Sequence, residues 1–396
     1  MKEIYPRDWK EYKFGDVFDL GGSLSISRAN LCDEGICYLH YGDIHKTQEN
    51  FMSVNRDYDT LPKYNISLEE ISSKYLLKDG DIVFADASED YEGIGKAVAI
   101  INPENIPFIS GLHTIVARDT NDTISYNYKR YFLSDWNIRK QLMILATGTS
   151  VYGLSKPNLQ NLKIVLPDKK EQEKIGSILS VWDKTIELKK QLIRQKKEHK
   201  KGLMQNLLSG RVRFPGYITK WKKVYLGDIC KISTGNKDTQ NKVDDGIYPF
   251  FVRSQNVERI NTFSYDGEAI LTAGDGVGVG KVFHYINGKF DFHQRVYKLS
   301  DFKNVDGYFL YCYISQNFMK QIKKFNAKTS VDSVRREMLT KMLIDLPPME
   351  EQEQIGRIIK NQETEILLLE KELSLLIDQK KSLMQQLLTG KIRVKV

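Results

Sequence analysis

Two stretches of the chain share one hydrophobic rhythm. In residues 167–210, Ile175, Leu179, Trp182, Ile186, Ile193, Leu203 and Leu207 fall on a 3.5-residue repeat, broken at Lys189, Lys196 and Lys200. In residues 347–390, Ile355, Ile359, Ile366, Leu369, Leu373, Leu376, Leu383 and Leu387 do the same, broken only at Gln362 and Lys380. This spacing predicts two long helices of coiled-coil type. Pro167 and Pro347 suit the entry to a helix, where no amide donor is needed. Asp168 with Glu171 offers a capping box, and Gly210 and Gly390 suit the left-handed residue that ends a helix. Elsewhere the pattern is shorter. Strand-like runs cover Asp81–Ala85, Ala97–Ile101 and Thr114–Ala117, then Ala269–Thr272, Lys281–Tyr285 and Arg295–Leu299. Helical runs cover about Tyr126–Leu145 and Asp306–Phe325.

The two rhythmic stretches are copies. Residues 166–214 align without gaps on residues 346–394, with 19 of 49 positions identical. The same offset reaches back to His113 and His293, which it places as equivalents. The openings WKEYKFGDVFDL from Trp9 and WKKVYLGDICKI from Trp221 also match, but the first half is 32 residues longer, mostly near His45–Ser73. A period near 200 residues marks a duplicated domain, not a solenoid. The expected fold is α+β. Two mixed α/β domains, 1–166 and 211–346, are each followed by a long helix, 167–210 and 347–396. The short link from Gly210 to Trp221 favours antiparallel pairing of these helices within one chain. Bundle helices or an intermolecular zipper are the alternatives. Antiparallel pairing would relate the two domains by a pseudo-twofold axis, the symmetry of two half-sites on opposite DNA strands.

Charge sharpens this picture. The chain nets +8, and residues 189–213 alone carry nine Lys or Arg against Glu198. Residues 320–341 add seven basic side chains against Asp332 and Glu337. Such clustering points to a polyanionic partner. Cys32, Cys37, Cys230 and Cys312 match no zinc spacing and read as reduced structural thiols. No His, Asp, Glu or Cys cluster suggests a metal. The polar opening Met1-Lys2-Glu3 suggests no signal peptide, and no apolar run nears the ~20 residues of a membrane span. A cytoplasmic protein with no cofactor is the expectation. The glycine-bearing loops 85–96 and 273–281 are followed by strands, which argues against a nucleotide-phosphate cradle. They fit tight turns close to DNA, with Ser88, Tyr91, and Lys96 or Lys281 as contacts, or plain structural turns. The pair His40–Asp43 and Arg253–Asn256 adds Tyr41, Arg253, Ser254 and Asn256, the latter loop rich in side chains that read base edges. Thr149, Ser150 and Tyr152, with Thr329, Ser330, Arg335 and Arg336, could meet phosphates. His113 and His293 complete the candidates, although a lone histidine is more often structural.

These motifs resemble those of the specificity subunits of type I restriction–modification systems. The resemblance rests on Trp…LeuGlyAsp at a domain start, SerThrGly at 233–235, and LeuPro…GluGln…Ile…LeuMetGln…LeuLeu…Gly…Arg occurring twice. It covers essentially the whole chain. It implies two target-recognition domains reading a split double-stranded DNA site, and helices that set the spacer. It also implies docking of two methyltransferase (modification) subunits, with Trp182, Leu203, Leu207, Leu383 and Leu387 as interface candidates, and joining of motor-nuclease (restriction) subunits. Leu20-Gly21-Gly22 departs from the Ile232–Gly235 pattern, and Gln362-Glu363 replace Trp182-Asp183. An intrinsic enzyme is disfavoured. No Asn-Pro-Pro-aromatic segment is present, and Gly95-Lys96-Ala97 and Gly280-Lys281-Val282 lack the hydroxyl of a phosphate loop. A coiled-coil adaptor without DNA readout is the remaining rival.

Overall fold

The computed structural model describes residues 5–148, 151–325 and 333–396. The chain forms two units, Met1–Lys189 with Glu372–Val396, and Lys190–Lys371. Each unit therefore holds one mixed α/β domain, part of the helix Lys169–Leu207 and part of the helix Met349–Leu388.

In the first unit a five-stranded sheet runs Asp19–Gly21, Thr114–Arg118, Ile82–Ala85, Ala97–Ile101, Phe51–Ser53. Only the last pairing is parallel. The inner strands are buried on both faces, which fits their continuous apolar sequences. A smaller sheet joins Lys63–Tyr64, Ile36–Leu39 and Phe108–Ser110. One of these elements, Phe51–Ser53, comes from the extra residues near 45–73, whereas Lys63–Tyr64 has its counterpart in Glu258–Ile260 of the second unit. In the smaller sheet Tyr38 is fully buried, and its hydroxyl donates to the Leu24 carbonyl at 2.7 Å and accepts from the Leu112 amide at 2.6 Å.

The second unit reaches a similar result with fewer, longer strands. Its six-stranded sheet runs Lys231–Thr234, Val296–Ser300, Tyr265–Ala273, Phe283–Phe292, Tyr248–Phe251, Glu258–Ile260. Tyr248–Phe251 runs parallel to Phe283–Phe292. In both units the first strand pairs with the last. Lys10 lies opposite Leu166, and Lys222 lies opposite Leu346. The Trp opening and the Leu-Pro exit are thus two sides of one closure.

The seam residues expected from the heptads face inward: Ile175, Leu179, Ile355 and Ile359 are essentially buried. Within the first unit the helices meet at Asp183–Lys380 and at Lys189–Glu372, 3.0 Å. Within the second they meet at Lys196–Glu365, 2.6 Å, and Lys200–Glu363, 2.6 Å. One number rises as the other falls, so the helices run antiparallel in each unit. The lysines that break the apolar rhythm are the cations of these pairs. Much of the 189–213 charge is therefore paired with glutamates of the other helix.

The helix termini are anchored twice in the same way. Asp168 caps its helix, accepting from the Glu171 amide at 2.9 Å. The reciprocal half of the expected capping box does not form. Instead the Glu171 carboxylate, 1% exposed, takes Arg393 at 2.7 Å and the Trp9 indole at 3.1 Å. Glu351 does likewise with Arg213 at 2.7 Å and Trp221 at 3.2 Å. A bidentate guanidinium outcompetes a return bond to the helix start. Gly210 and Gly390 close the helices at φ +67° and +68°. Leu207 and Leu387, expected at a subunit interface, are buried in the cores of their own units, and Leu203 and Leu383 pack against those cores. Trp182 is half-buried. All four cysteines are free thiols, and among the described residues no helix is long and apolar enough to cross a membrane.

Candidate nucleic-acid interface

In each unit several candidate residues gather where a parallel pair of strands, Ile36–Leu39 with Phe108–Ser110 or Tyr248–Phe251 with Phe283–Phe292, meets the antiparallel hairpin. In the first unit, Leu39 ends its strand and its carbonyl accepts from the Gly111 amide at 2.9 Å. Tyr41 follows, and its ring meets that of His113 edge-on, with centroids 5.4 Å apart. His113 takes a left-handed backbone at φ +56°. Its Nδ1 lies 3.1 Å from Asp86 Oδ1. Asp86 leaves the strand Ile82–Ala85, and the next residues, Ala87–Ser88, pair with Tyr152–Gly153. This pairing sets Tyr91 against Tyr152, rings 5.3 Å apart. Tyr41, His113, Tyr91 and Tyr152 are thus linked through one short segment. Ser88 is buried beneath it.

In the second unit, Phe251 ends the corresponding strand and its carbonyl accepts from the His293 amide at 2.9 Å. Arg253 stands where Tyr41 does. The Gly274 amide donates to the Arg295 carbonyl at 2.9 Å, as the Asp86 amide donates to the His113 carbonyl at 3.1 Å. The structural partner of His113 is therefore Arg295. The equivalence expected for His113 and His293 does not hold. The gapless offset of the helices slips by two residues in this region, and His293 lands at the position of Gly111. His293 is buried, 3% exposed, and its Nδ1 accepts from the Arg295 amide at 2.9 Å. Burial lowers its pKa below the ordinary value, as it does for buried His40.

Asp275 joins the two arginines. Arg253 Nη1 donates to one carboxylate oxygen at 2.8 Å and Arg295 Nη1 to the other at 2.5 Å. Burial raises the Asp275 carboxyl, but hydrogen bonds from Arg295 and Arg253 outweigh it and hold the group below its ordinary value. The turn Gly276–Gly278 that follows presents Val277, 92% exposed. A Cβ on Gly278 would lie 2.5 Å from the Arg253 carbonyl, so the loop needs glycine to sit against that backbone. Arg335 and Arg336, both exposed, border a cleft of about 410 Å³ shared with Asp275 and Arg295. Ser254 and Asn256 are exposed on the loop after Arg253, where the Ser254 hydroxyl accepts from the Asn256 amide at 3.1 Å.

Other candidates fare differently. Lys96 donates to the carbonyls of His45 at 2.9 Å and Thr47 at 2.5 Å, so it fastens the 41–47 segment. Lys281 is exposed. Thr149, Ser150, Thr329 and Ser330 lie outside the described residues. The glycine loops lead into strands, as their sequence suggests. Among the described residues no cluster could hold a metal ion. Sequence reasoning missed Asp86, Asp275 and Arg295. The signal available was an aspartate one or two residues after an apolar strand ending in alanine, Asp86 after Ala85 and Asp275 after Ala273.

The fold and these loops have known counterparts. The family model described as the type I restriction modification DNA specificity domain matches twice, at residues 6–197 and 218–378. A Methanocaldococcus jannaschii protein, provisionally named the MjaX type I restriction enzyme specificity subunit, is 28% identical over 98% of this chain and 95% of its own length. The EcoDI specificity subunit of Escherichia coli is 33% identical over 33% of this chain and 29% of its own. Among solved structures, the type I restriction–modification S subunit from M. genitalium aligns with a TM-score of 0.58 at 15% identity, over 96% of both chains.

Proposed function

Because the chain belongs to the family of type I restriction–modification DNA specificity subunits, with two target-recognition domains, we propose that it binds double-stranded DNA and selects a bipartite sequence. As a member of this family it is a specificity subunit and not one of the catalytic subunits. Residues 1–166 read one half-site and residues 211–346 the other. The two long helices set the spacer and receive two modification subunits, and restriction subunits join that complex, in the cytoplasm. One observation carries this reading. The anchors Glu171–Arg393–Trp9 and Glu351–Arg213–Trp221 are the same chemistry twice. The loop tips at Tyr41–His113 and Arg253–Arg295 are equivalent in place and different in chemistry. A common frame with divergent tips suits two readers of unlike sequences. Docking falls to apolar side chains that stay exposed on the helices, among them Val181, Leu188, Leu367, Leu368 and Leu375, with Trp182 beside them.

An exchange experiment tests the reading. Residues 1–166 are replaced by the matching domain of a relative, and methylated sites are mapped in cells that supply the modification subunit. One half-site should change while the other stays. Change in both halves, or in neither, would overturn it. Binding should also weaken steeply with salt, giving a linear log–log plot whose slope counts neutralised phosphates.

A further inference from the structure

Resting on the DNA-reading function above, we propose that Arg253 and Arg295, spread on the carboxylate of Asp275, form a paired-guanidinium head that reads guanine in the half-site of the second domain. Each arginine uses Nη1 on Asp275, at 2.8 and 2.5 Å. No other side-chain partner is present for either among the described residues, so each keeps further N–H donors of its fork free. Their side chains remain 43% and 62% exposed, while Asp275 is 19% exposed beneath them. A carboxylate that needs one cation is given two, and the trio nets +1. Fixing both forks lowers the entropy lost when they engage a ligand. A fork held at a loop tip matches O6 and N7 of guanine, the commonest specific base contact of arginine. The first unit places Tyr41 and His113 at the same two positions, with Asp86 on His113. That pair has no bidentate fork, so its half-site is read by other means.

The test uses the full chain assembled with its modification subunits, after the wild-type site has been mapped by methylation. Variants R253Q, R295Q, R295K and D275N are compared on duplexes in which each base pair of the site is changed in turn. R295Q and R253Q are each expected to lose about 10- to 100-fold in discrimination at a guanine of one half-site only, the range for one bidentate contact. R295K should keep the salt dependence of binding but lose the discrimination, because an ammonium lacks the fork. D275N should relax the same positions without abolishing binding. Unchanged reading of the other half-site serves as the folding control. The proposal is overturned if no guanine position responds to either arginine. It is equally overturned if the variants weaken all duplexes alike, the mark of phosphate contacts, or if R295K discriminates like wild type. Absence of any bipartite site for the wild-type complex would instead defeat the functional reading itself.

Discussion

At the scale of single residues, two buried groups carry consequences beyond their size. Glu171 is 1% exposed, and its carboxylate is balanced by Arg393. Arg393→Met would leave that charge with the Trp9 indole alone. Breaking such a pair costs several kcal/mol when both partners are buried. Arg393 is 42% exposed, so about 2 kcal/mol is the discounted expectation. Urea unfolding of the full chain should show it, while Lys391→Met, at an exposed neighbour, should change little. His293 gives a pH prediction. Burial lowers its pKa below the ordinary 6.5, with Arg253 and Arg295 opposing and Asp238 and Asp275 favouring its charge. A depressed folded value means the contribution is fully present above 6.5 and is lost as pH falls through the folded value. Stability of the chain should therefore fall as pH drops below 6.5, and His293→Gln should flatten part of that slope. An unchanged slope in the variant would count against the assignment. His284 and His40, also lowered by burial, contribute in the same direction. Most of these roles were hidden in the sequence, because burial and partner choice join residues far apart in the chain. Arg393 and Asp8 lie near opposite ends, yet their side chains meet at 2.7 Å.

At the scale of elements, the seam between the helices is specified by its interruptions. Leucines and isoleucines at 3.5-residue spacing would accept several registers. Asp183 with Lys380 and Glu363 with Lys200 select one, and a tyrosine hydroxyl, Tyr131 or Tyr308, donates to each acid. These cations are largely buried, 16% exposed at Lys380 and 25% at Lys200. Lys380→Glu should destabilise by about 3 kcal/mol. Adding Asp183→Lys should recover only part of that, because Tyr131 loses its acceptor. Thermal unfolding of the two variants measures the difference, and full additivity would show that the pair does not couple. Leu387→Ala, in the core of its unit, should cost about 2–5 kcal/mol, more than an exposed leucine such as Leu367. The hydrophobic rhythm made the helices legible. It could not say that Leu207 and Leu387 serve their own domains, since burial against a domain and burial against a partner leave the same sequence pattern.

At the scale of the whole molecule, the arrangement is one of shared helices. Each unit takes the start of one helix and the end of the other. Inserting one heptad at paired positions in both helices keeps every ion pair in register. The bases of both half-sites should then be retained, and only their spacing should change. Methylation mapping gives both readings, and altered bases at constant spacing would contradict the division of labour. The same insertion in one helix alone should break the seam and lose activity on any site.

The sequence by itself determined the duplication, the two helices, their capping glycines and the family. Repeated spacing and local backbone preference survive in linear order. The strand runs of the hairpins were readable for the same reason, although the strand expected at Lys281–Tyr285 runs from Phe283 to Phe292. Tertiary structure alone decided which carboxylates meet which cations. It also decided that the helix lysines answer glutamates, and that His113 matches Arg295 instead of His293. Those outcomes depend on strand register and on helix pairing. The spacing from these strands to the following helical segment differs by two residues between the halves, and a gapless alignment of the two copies does not carry that difference. The reading head on Asp275 belongs to the second kind: its three members come from three loops, brought together only by the sheet.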